Sequence, residues 1–433
     1  MYQLSFFFLI LILFSGCSSQ QMQNSVQVKK TETIEVSQDP KEYLKNFHFN
    51  DQKKISNYNK EYTQRYFRPW HMKKLSASKK EAMWGFAYAN RETFGHNYQR
   101  ITQSWYDSTK ENANFQRYNT LKRKAITIKN ADIRVLPNHQ PIFLDPSQAG
   151  EGFPFDYNQI SSVYINTPLI VSHFSKDKAW VFVECNFATG WLPVDSIAFV
   201  DKKTQKKFET GHYGIAQKDN FPIYEKDWFI EKIKLGTIFP IYKGELLYIK
   251  RSSGLKGKIG FTQSSFVTQK PLPFTKENIS DAIQELINEP YGWGGLHGTR
   301  DCSSMTRDFF SLYGVYLERN SKGQTFNGKY ISIEDLSLHE KKKKILKEAK
   351  PFLTLLYAKG HVMLYVGAIN NEPIIFHQFW GIATKDKQGK EGREIIGKTL
   401  FSTLEIGNKL ENYDKDAALI NKIKGIVLLD TAP

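Results

Sequence analysis

The sequence predicts a multi-domain α+β protein with a helical N-terminal segment, two small β-barrels and a C-terminal α+β domain. The chain has 433 residues, more than one hydrophobic core usually serves. A hydrophobic content of 40% and an aromatic content of 14% exclude bulk disorder. The residue periodicity changes from helical to short strands near residue 128, and a helical stripe returns after residue 270.

The first residues have the composition of a secretion signal. Residues 1–16 contain an apolar run from Phe6 to Phe14 that is too short to span a bilayer. The junction LFSGC, which ends at Cys17, resembles the bacterial lipobox, although MYQLS lacks Lys or Arg and Phe14 replaces the usual Leu. We expect a signal peptide at 1–16, lipidation of Cys17, and a location on a bacterial membrane facing the periplasm or cell wall. A signal peptide cleaved elsewhere and a plain membrane-spanning anchor are the alternatives.

Cysteine content and charge narrow the class of protein further. If Cys17 carries lipid, only Cys185 and Cys302 remain, and two thiols do not form a disulfide framework. Cys185 ends an alternating run and is expected to be a small buried hydrophobe. The net charge of +16 suits anionic surroundings such as phospholipid headgroups or an acidic cell-wall polymer. The export signal disfavours nucleic acid as a partner.

The chain before residue 128 divides into a tether and a helical region. Residues 17–37 are polar and lack a helical stripe, so we predict a lipid-anchored linker. Residues 38–127 are predicted to form an N-terminal helical domain. Its helical spacing is carried by Ala82, Met83, Phe86 and Ala87. Its tryptophans are expected to pack in the core and between domains: Trp70, Trp84 and Trp105.

The middle of the chain has the pattern of small barrels. Short strands are separated by Gly, Pro, Asn and Asp, and the stretches beginning at Asn166 and Leu235 follow one plan of three strands and two turns. We therefore predict barrels at 128–201 and 202–270, followed by a third domain at 271–433.

The stretch RDCSSMTRDFF at 300–310 places a thiol at the start of a predicted helix. Met305, Phe309 and Leu312 follow at helical spacing. Unpaired amides and the helix dipole at such a start favour an anion, which predicts a lowered thiol pKa and a nucleophilic Cys302. The preceding glycine-rich loop, PYGWGGLHGTRD, allows another backbone to approach closely.

Two histidines on predicted strands supply a proton acceptor. His361 opens HVMLYVG and His377 lies in PIIFHQFWG. A hairpin with a three-residue loop at 368–370 would place the two histidines directly opposite each other, so that one imidazole orients the other. A two-residue loop would put them on opposite faces. Alternatives are His297 as the base, and a zinc site formed by the thiol and both histidines, which lacks a fourth ligand.

Five runs together resemble the NlpC/p60 cell-wall cysteine peptidases. They are PYGWGG (290–295), RDCSS (300–304), LERNSKGQ (317–324), GHVMLYVG (360–367) and FHQFWG (376–381). The chain is most similar to multi-domain members in which a helical segment and two bacterial SH3-like barrels precede a papain-like peptidase domain. The resemblance implies hydrolysis of the γ-D-glutamyl to diamino acid bond in peptidoglycan stem peptides.

The resemblance also implies roles for individual residues. Cys302 would be the nucleophile, His361 the general base and His377 the polar third member, while Tyr291 would help to hold the oxyanion. Asp301 and Ser303 would line a pocket for the free amine of the leading L-alanine. First-barrel candidates for closing this pocket are Glu151, Asp156 and Tyr157.

The expected partners are stem peptides and, through the lipid, a membrane; we expect a monomer without cofactor or metal. A non-catalytic peptidoglycan-binding lipoprotein remains an alternative. So does an amidase or acyltransferase with the same thioester chemistry.

Overall fold

The computed structural model describes residues 36–45, 47–49 and 52–429. The predicted signal peptide, Cys17 and nearly all of the predicted linker lie outside the described residues. No helix in the described part of the chain has both the length and the apolar character needed to cross a bilayer.

Helices begin where the sequence provides capping side chains. Thr275 accepts a hydrogen bond from the Asn278 backbone, and the helix that follows ends before Pro290. The described α-helices are α1 (Pro40–Leu44), α2 (Gln52–His71), α3 (Lys79–Ala82), α4 (Gln103–Asn112), α5 (Lys202–Phe208), α6 (Lys276–Leu286), α7 (Cys302–Ser311), α8 (Ser321–Gln324), α9 (Leu338–Glu348) and α10 (Leu419–Lys422).

Short strands fill the middle of the chain, as predicted. The first group is β1 (Arg123–Thr127), β2 (Ala131–Arg134), β3 (Gln159–Val163), β4 (Pro168–Phe174), β5 (Trp180–Glu184), β6 (Thr189–Pro193) and β7 (Ile197–Phe199). The second is β8 (Tyr213–Ala216), β9 (Phe221–Glu225), β10 (Trp228–Ile233), β11 (Ile238–Tyr242), β12 (Glu245–Ser253), β13 (Lys256–Thr262) and β14 (Val267–Gln269).

Each group of strands pairs mainly within itself. The first group runs in the order β7-β1-β4-β5-β6-β2-β3, and the second in the order β14-β8-β11-β12-β13 beside the β9-β10 hairpin. A parallel pairing of Lys256 with Phe199 joins the two groups. β1 lies before the boundary predicted at 128, yet it pairs with β4 and β7.

The C-terminal part combines helices with one antiparallel sheet. Its strands are β15 (Lys329–Ser332), β16 (Thr354–Ala358), β17 (His361–Ile369), β18 (Glu372–Lys385), β19 (Glu391–Thr403) and β20 (Ile423–Leu428), in the order β15-β20-β16-β17-β18-β19. Met305 and Phe309 of α7 share a buried cluster with Leu364 and Phe376 from β17 and β18. The α+β multi-domain class predicted from sequence is confirmed.

The N-terminal helices contribute to the same core as the C-terminal part. Leu44, Phe67 and Trp70 belong to the buried cluster that contains Phe309. The indole Nε1 of Trp70 also donates to the carbonyl of Ala125 in β1 at 2.8 Å.

The prediction that all three tryptophans of this region are packed inside is wrong for Trp84, which is 52% exposed. Trp84 begins a 3₁₀ segment, Trp84–Asn90, rather than an α-helix. Helical spacing alone could not reveal which face of this short segment meets the core.

Candidate active site

Cys302 is the first residue of α7, held there by a capping box. The Asp301 carboxylate accepts from the Ser304 N–H at 2.8 Å, and the Ser304 hydroxyl accepts from the Asp301 N–H at 2.9 Å. Cys302 is only 6% exposed. The backbone N–H groups of Val362 and Ser303 lie near its sulfur. The helix predicted from 302 onward is confirmed, and the sulfur lies next to the strand that His361 begins.

The predicted effect of the helix start on the thiol pKa is wrong. Burial raises the pKa of the Cys302 thiol to about 12, and the neighbouring Asp301 carboxylate raises it too. The amides of Val362 and Ser303 act in the opposite direction but with less effect. Removal of the sulfur from water outweighs the amides at the helix start, so the resting thiol is neutral.

His361 and His377 approach each other by a different route from the one predicted. The turn between β17 and β18 has two residues, Asn370 and Asn371, so the predicted three-residue loop is wrong. A β-bulge between Tyr365 and Gly367 adds one residue to β17 and changes the register. Near the histidines, Leu364 pairs with Phe376 and Tyr365 with Ile375.

The bulge therefore places both histidine side chains on the same face of the sheet, whereas a two-residue turn alone would place them on opposite faces. In this register His377 is a diagonal neighbour of His361 instead of its direct partner. Nε2 of His361 lies 2.9 Å from Nδ1 of His377.

A chain of hydrogen bonds links the two histidines to Ser402. The Ser402 hydroxyl donates to the carbonyl of Thr403 at 2.9 Å and lies 3.0 Å from Nε2 of His377. If the hydroxyl proton goes to Thr403, Nε2–H of His377 is the donor to Ser402. Nδ1 of His377 then accepts from Nε2–H of His361, which leaves Nδ1 of His361 without a proton.

Both imidazoles are neutral in this environment. Burial lowers the pKa of His361 to about 4, while the Asp301 charge acts to raise it. Burial and then the neighbouring His361 hold the pKa of His377 well below its usual range. His377 is fully buried. The imidazole of His361 and the thiol of Cys302 are thus both neutral.

Tyr291 lies close enough to the thiol for their charges to interact. Burial holds the pKa of its hydroxyl well above the usual range, and Cys302 and Asp301 raise it too. Its ring lies 5.6 Å from the ring of Trp380 and 6.4 Å from that of Phe155, measured between centroids. The phenol thus stays protonated and can act as a hydrogen-bond donor.

The carboxylate of Asp301 is already bonded within the protein. Arg319 donates to both of its oxygens, from Nη2 at 2.8 Å and from Nη1 at 3.1 Å. Arg319 also donates from Nη1 to the Ser303 hydroxyl at 2.9 Å and from Nε to the Ser161 hydroxyl of β3 at 2.6 Å. This buried ion pair fixes the predicted amine-binding residues to each other and to the first group of strands.

The loop before Cys302 is held against β3. Gln159 donates to the carbonyl of Gly294 at 3.0 Å, and Ser162 donates to that of Gly295 at 2.5 Å. Both glycines have positive φ, of 60° and 83°, and a Cβ on Gly295 would lie 2.3 Å from the Ser162 hydroxyl oxygen. The predicted close approach of another backbone to this loop is confirmed.

The first-barrel candidates lie next to this loop. The Tyr157 ring is 6.0 Å from the Trp293 ring, and its hydroxyl donates to the Glu151 carboxylate at 3.0 Å. Asp156 is buried and pairs with Arg134 at 2.8 Å. Trp293 donates from Nε1 to the Asp156 carbonyl at 3.0 Å. Asp156 thus contacts the loop through its backbone, while its carboxylate forms an ion pair with Arg134 within the first group of strands.

The remaining residues singled out from the sequence are an alternative base, a metal site and the second cysteine. His297 sits on the exposed loop with its ring 6.3 Å from Phe153. The described residues include no group of three or more His, Cys, Asp or Glu arranged to hold a metal ion. Cys185 is fully buried and its pKa is raised by burial to about 11, which confirms its predicted role as a small hydrophobe.

Sequence reasoning assigned no role to Ser402 or Arg319. Ser402 lies in the apolar run TLFSTL. A polar residue at a strand position in such a run was the feature that could have indicated a role for it. Arg319 stands inside the quoted run LERNSKGQ, but its contact with Ser161 joins residues far apart in sequence.

Family models match three parts of the chain. The NlpC/P60 family matches residues 288–389, the N-terminal NLPC_P60 stabilising domain matches 6–118, and an SH3 domain of the SH3b1 type matches 141–193. The chain is thus similar to multi-domain NlpC/P60 proteins, with a stabilising domain, an SH3 domain and a peptidase domain in that order. One SH3 domain is found rather than two; β8 to β14 lie where the second was predicted, without a matching family model.

One solved structure supports the same assignment. An NlpC/P60 endopeptidase from Photobacterium damselae subsp. piscicida is 25% identical, with 92% of this chain and 98% of that chain covered and a TM-score of 0.83. An NlpC/P60 family protein from Bacillus cereus is a weaker match at 15% identity, with 70% of this chain and 98% of that chain covered and a TM-score of 0.45. No curated protein sequence matches the chain. The match to the NlpC/P60 family and the likeness to the Photobacterium endopeptidase support a cysteine-type cell-wall peptidase.

Proposed function

We propose that the protein hydrolyses the γ-D-glutamyl to diamino acid bond of peptidoglycan stem peptides that carry a free N-terminal L-alanine. The observation that carries the chemistry is the proton chain that ends at His361. Nε2 of His361 lies 2.9 Å from Nδ1 of His377, and the backbone N–H of the next residue, Val362, lies near the sulfur of Cys302.

In the proposed mechanism, the neutral thiol and the neutral imidazole act together. Nδ1 of His361 takes the proton of Cys302 as the sulfur attacks the amide carbon, so a thiolate forms only during the reaction. The Tyr291 hydroxyl and the Cys302 backbone N–H stabilise the oxyanion. The imidazolium then protonates the departing amine.

Water completes the cycle. His361, again neutral, takes a proton from water as the oxygen attacks the thioester carbon, and the sulfur leaves and is reprotonated. His377 and Ser402 hold the His361 ring and its tautomer during both halves of the reaction.

Recognition of the free amine is assigned to the residues around Asp301. The negative charge of its buried carboxylate is largely neutralised by Arg319 at 2.8 Å. The ammonium group of the substrate therefore enters a polar site with a small net charge. Glu151, which accepts from Tyr157, supplies a second carboxylate beside the same loop. These contacts favour a substrate whose amine is bonded by several groups at once.

Digestion of a purified tripeptide tests the proposal. The full chain is expected to release the diamino acid from L-alanyl-γ-D-glutamyl-diamino acid, with water incorporated in the dipeptide as measured by mass. Acetylation of the alanine amine should reduce kcat/KM strongly, and Cys302→Ala should abolish turnover with its circular-dichroism spectrum unchanged. Turnover by that variant would reject Cys302 as nucleophile, and equal cleavage of both peptides would reject the amine pocket.

Export and lipid attachment at Cys17 remain part of the proposal on sequence grounds. Expression of the full chain in a bacterium followed by mass analysis of its N-terminus is expected to give a diacylglyceryl-modified Cys17. Recovery of an unmodified chain from which residue 17 has been cleaved would contradict it. Gel filtration of the delipidated chain tests the expected monomer.

A further inference from the structure

A groove in the second group of strands has no part in the proposed chemistry. It has a volume of about 1060 Å³ and lies between α5 and the hairpin of β12 and β13. Apolar side chains from the strands form its floor: Ile241, Leu247 and Ile259. Tyr242 and Phe261, which are 48% and 42% exposed, stand in its lining. The groove is therefore a concave surface with apolar and aromatic contact area.

The charge of the groove is strongly one-sided. Its lining contains six exposed lysines: Lys203, Lys206, Lys207, Lys243, Lys256 and Lys258. Among the described residues, none of these six forms a salt bridge. Glu209, the carboxylate in the lining, is bonded to His71 at 3.0 Å. Asp201, at the start of α5, lies near two of the lysines, Lys203 and Lys256.

Like charges gathered in this way repel one another. Lys258 even pairs across the hairpin with Lys250, whose ammonium is bonded to Glu225. Repulsion of this kind lowers the stability of the free protein and is relieved when an anion binds. Six cations spread along one groove match an anion that also repeats its charges along its length.

We propose that this groove binds an extended polyanion, a polymer that repeats phosphate or carboxylate groups. The shape favours a polymer chain over a membrane surface, because a flat array of headgroups can touch only the rim and leaves the apolar floor uncovered. The ammonium groups pair with the anionic groups, while Tyr242 and Phe261 contact the apolar faces of the repeating units. Such binding would hold the peptidase on an anionic matrix.

Titration of the full chain tests this site. Linear polyphosphate and poly-glutamate represent the two anionic chemistries, a neutral chito-oligosaccharide is the uncharged control, and vesicles with and without phosphatidylglycerol represent a membrane. We expect binding of at least one polyanion, no binding of the neutral glycan, and an affinity that falls steeply as salt screens the charges.

Charge-removing variants locate the site. The groove variant is Lys206→Gln, Lys207→Gln and Lys258→Gln combined, and the matched control is Lys73→Gln, Lys74→Gln and Lys80→Gln, also exposed lysines. The groove variant should bind polyanion at least about 10-fold more weakly, and the control less than about 2-fold, since each exposed charge contributes modestly.

Several outcomes would overturn the site. They are equal weakening in both variants, no polyanion binding by the unmodified chain, and binding of anionic vesicles that exceeds binding of both polymers. Cleavage of the free tripeptide should be the same in the groove variant and the unmodified chain. That readout separates a failure of this proposal from a failure of the proposed peptidase function.

Discussion

Nε2 of His361 lies 2.9 Å from Nδ1 of His377, although the turn between their strands has the length that alone would place them on opposite faces. The bulge after Tyr365 corrects the register. When Ser402 donates its hydroxyl proton to Thr403, His377 donates to Ser402 and His361 donates to His377. In that arrangement, a serine 41 positions away in sequence orients the histidine pair and leaves Nδ1 of His361 without a proton.

Removal of the Ser402 hydroxyl should slow catalysis without preventing folding. In Ser402→Ala the buried Nε2–H of His377 loses its acceptor, so the tautomer of His361 is no longer fixed. We expect kcat to fall about 3- to 10-fold with KM nearly unchanged, the size of one lost hydrogen bond.

Thr399→Val is the matched control for this variant. Thr399 lies on the same strand, is fully buried, and its hydroxyl has no hydrogen-bond partner. Its loss should leave kcat and the acidic limb of the pH profile in place, whereas Ser402→Ala should shift that limb. If both variants behave alike, Ser402 has only a structural role.

The pH dependence of kcat/KM should reflect the neutral His361. A protonated His361 cannot accept the thiol proton, so activity falls as pH decreases through the pKa of about 4. The acidic limb is therefore expected near pH 4 instead of near 6.5, the usual value for histidine. Since burial raises the pKa of Cys302 to about 12, the thiol should remain un-ionised at pH 8 to 9, and alkylation by iodoacetamide should be slow there.

The free energy of unfolding also depends on pH, and this effect must be separated from the pH dependence of the reaction rate. The pKa of His361 is lower in the folded than in the unfolded chain, so between about pH 6.5 and 4 the unfolded chain binds more protons. Stability is therefore lost as pH falls through this window. His173, whose pKa is also lowered by burial to about 4, acts in the same direction. Denaturant midpoints at each pH show which activity losses precede unfolding, and an acidic limb near 6.5 in a folded protein would contradict the assignment.

Tyr291→Phe tests the oxyanion donor. The ring contacts with Trp380 and Phe155 are retained, while the hydroxyl is lost. We expect kcat to fall about 100-fold, as for other single oxyanion donors, with little change in KM. A raised KM with unchanged kcat would show that the hydroxyl binds the substrate and does not stabilise the transition state.

Gly295→Ala tests the contact between the active-site loop and β3. A Cβ would lie 2.3 Å from Ser162 Oγ in a backbone with φ of 83°. We expect a loss of about 1 to 3 kcal/mol of unfolding free energy and a lower kcat, because the loop leads to Cys302.

Gly298→Ala separates backbone strain from this contact. Gly298 has a φ of 69° but no atom within 4 Å of an added Cβ. Its alanine variant should lose less stability than Gly295→Ala in the same denaturant experiment. Equal losses would mean that the approach of β3 contributes nothing.

Much of the site was predictable because its signals are local. The helix from Cys302 follows from apolar spacing and from an aspartate three residues before a serine, and the two histidine strands follow from alternation. The glycines that let β3 approach were visible in the loop. Each of these features depends on neighbours within a few residues.

The sequence by itself determined the kinds of element, the order of the domains and the candidates for the reactive side chains. Only the tertiary structure decided the protonation of the thiol, the register of the histidine pair, and the parts taken by Ser402 and Arg319. The physical reason is that burial and hydrogen bonding depend on groups brought from distant strands. Local spacing carries no information about how much water those strands remove from Cys302.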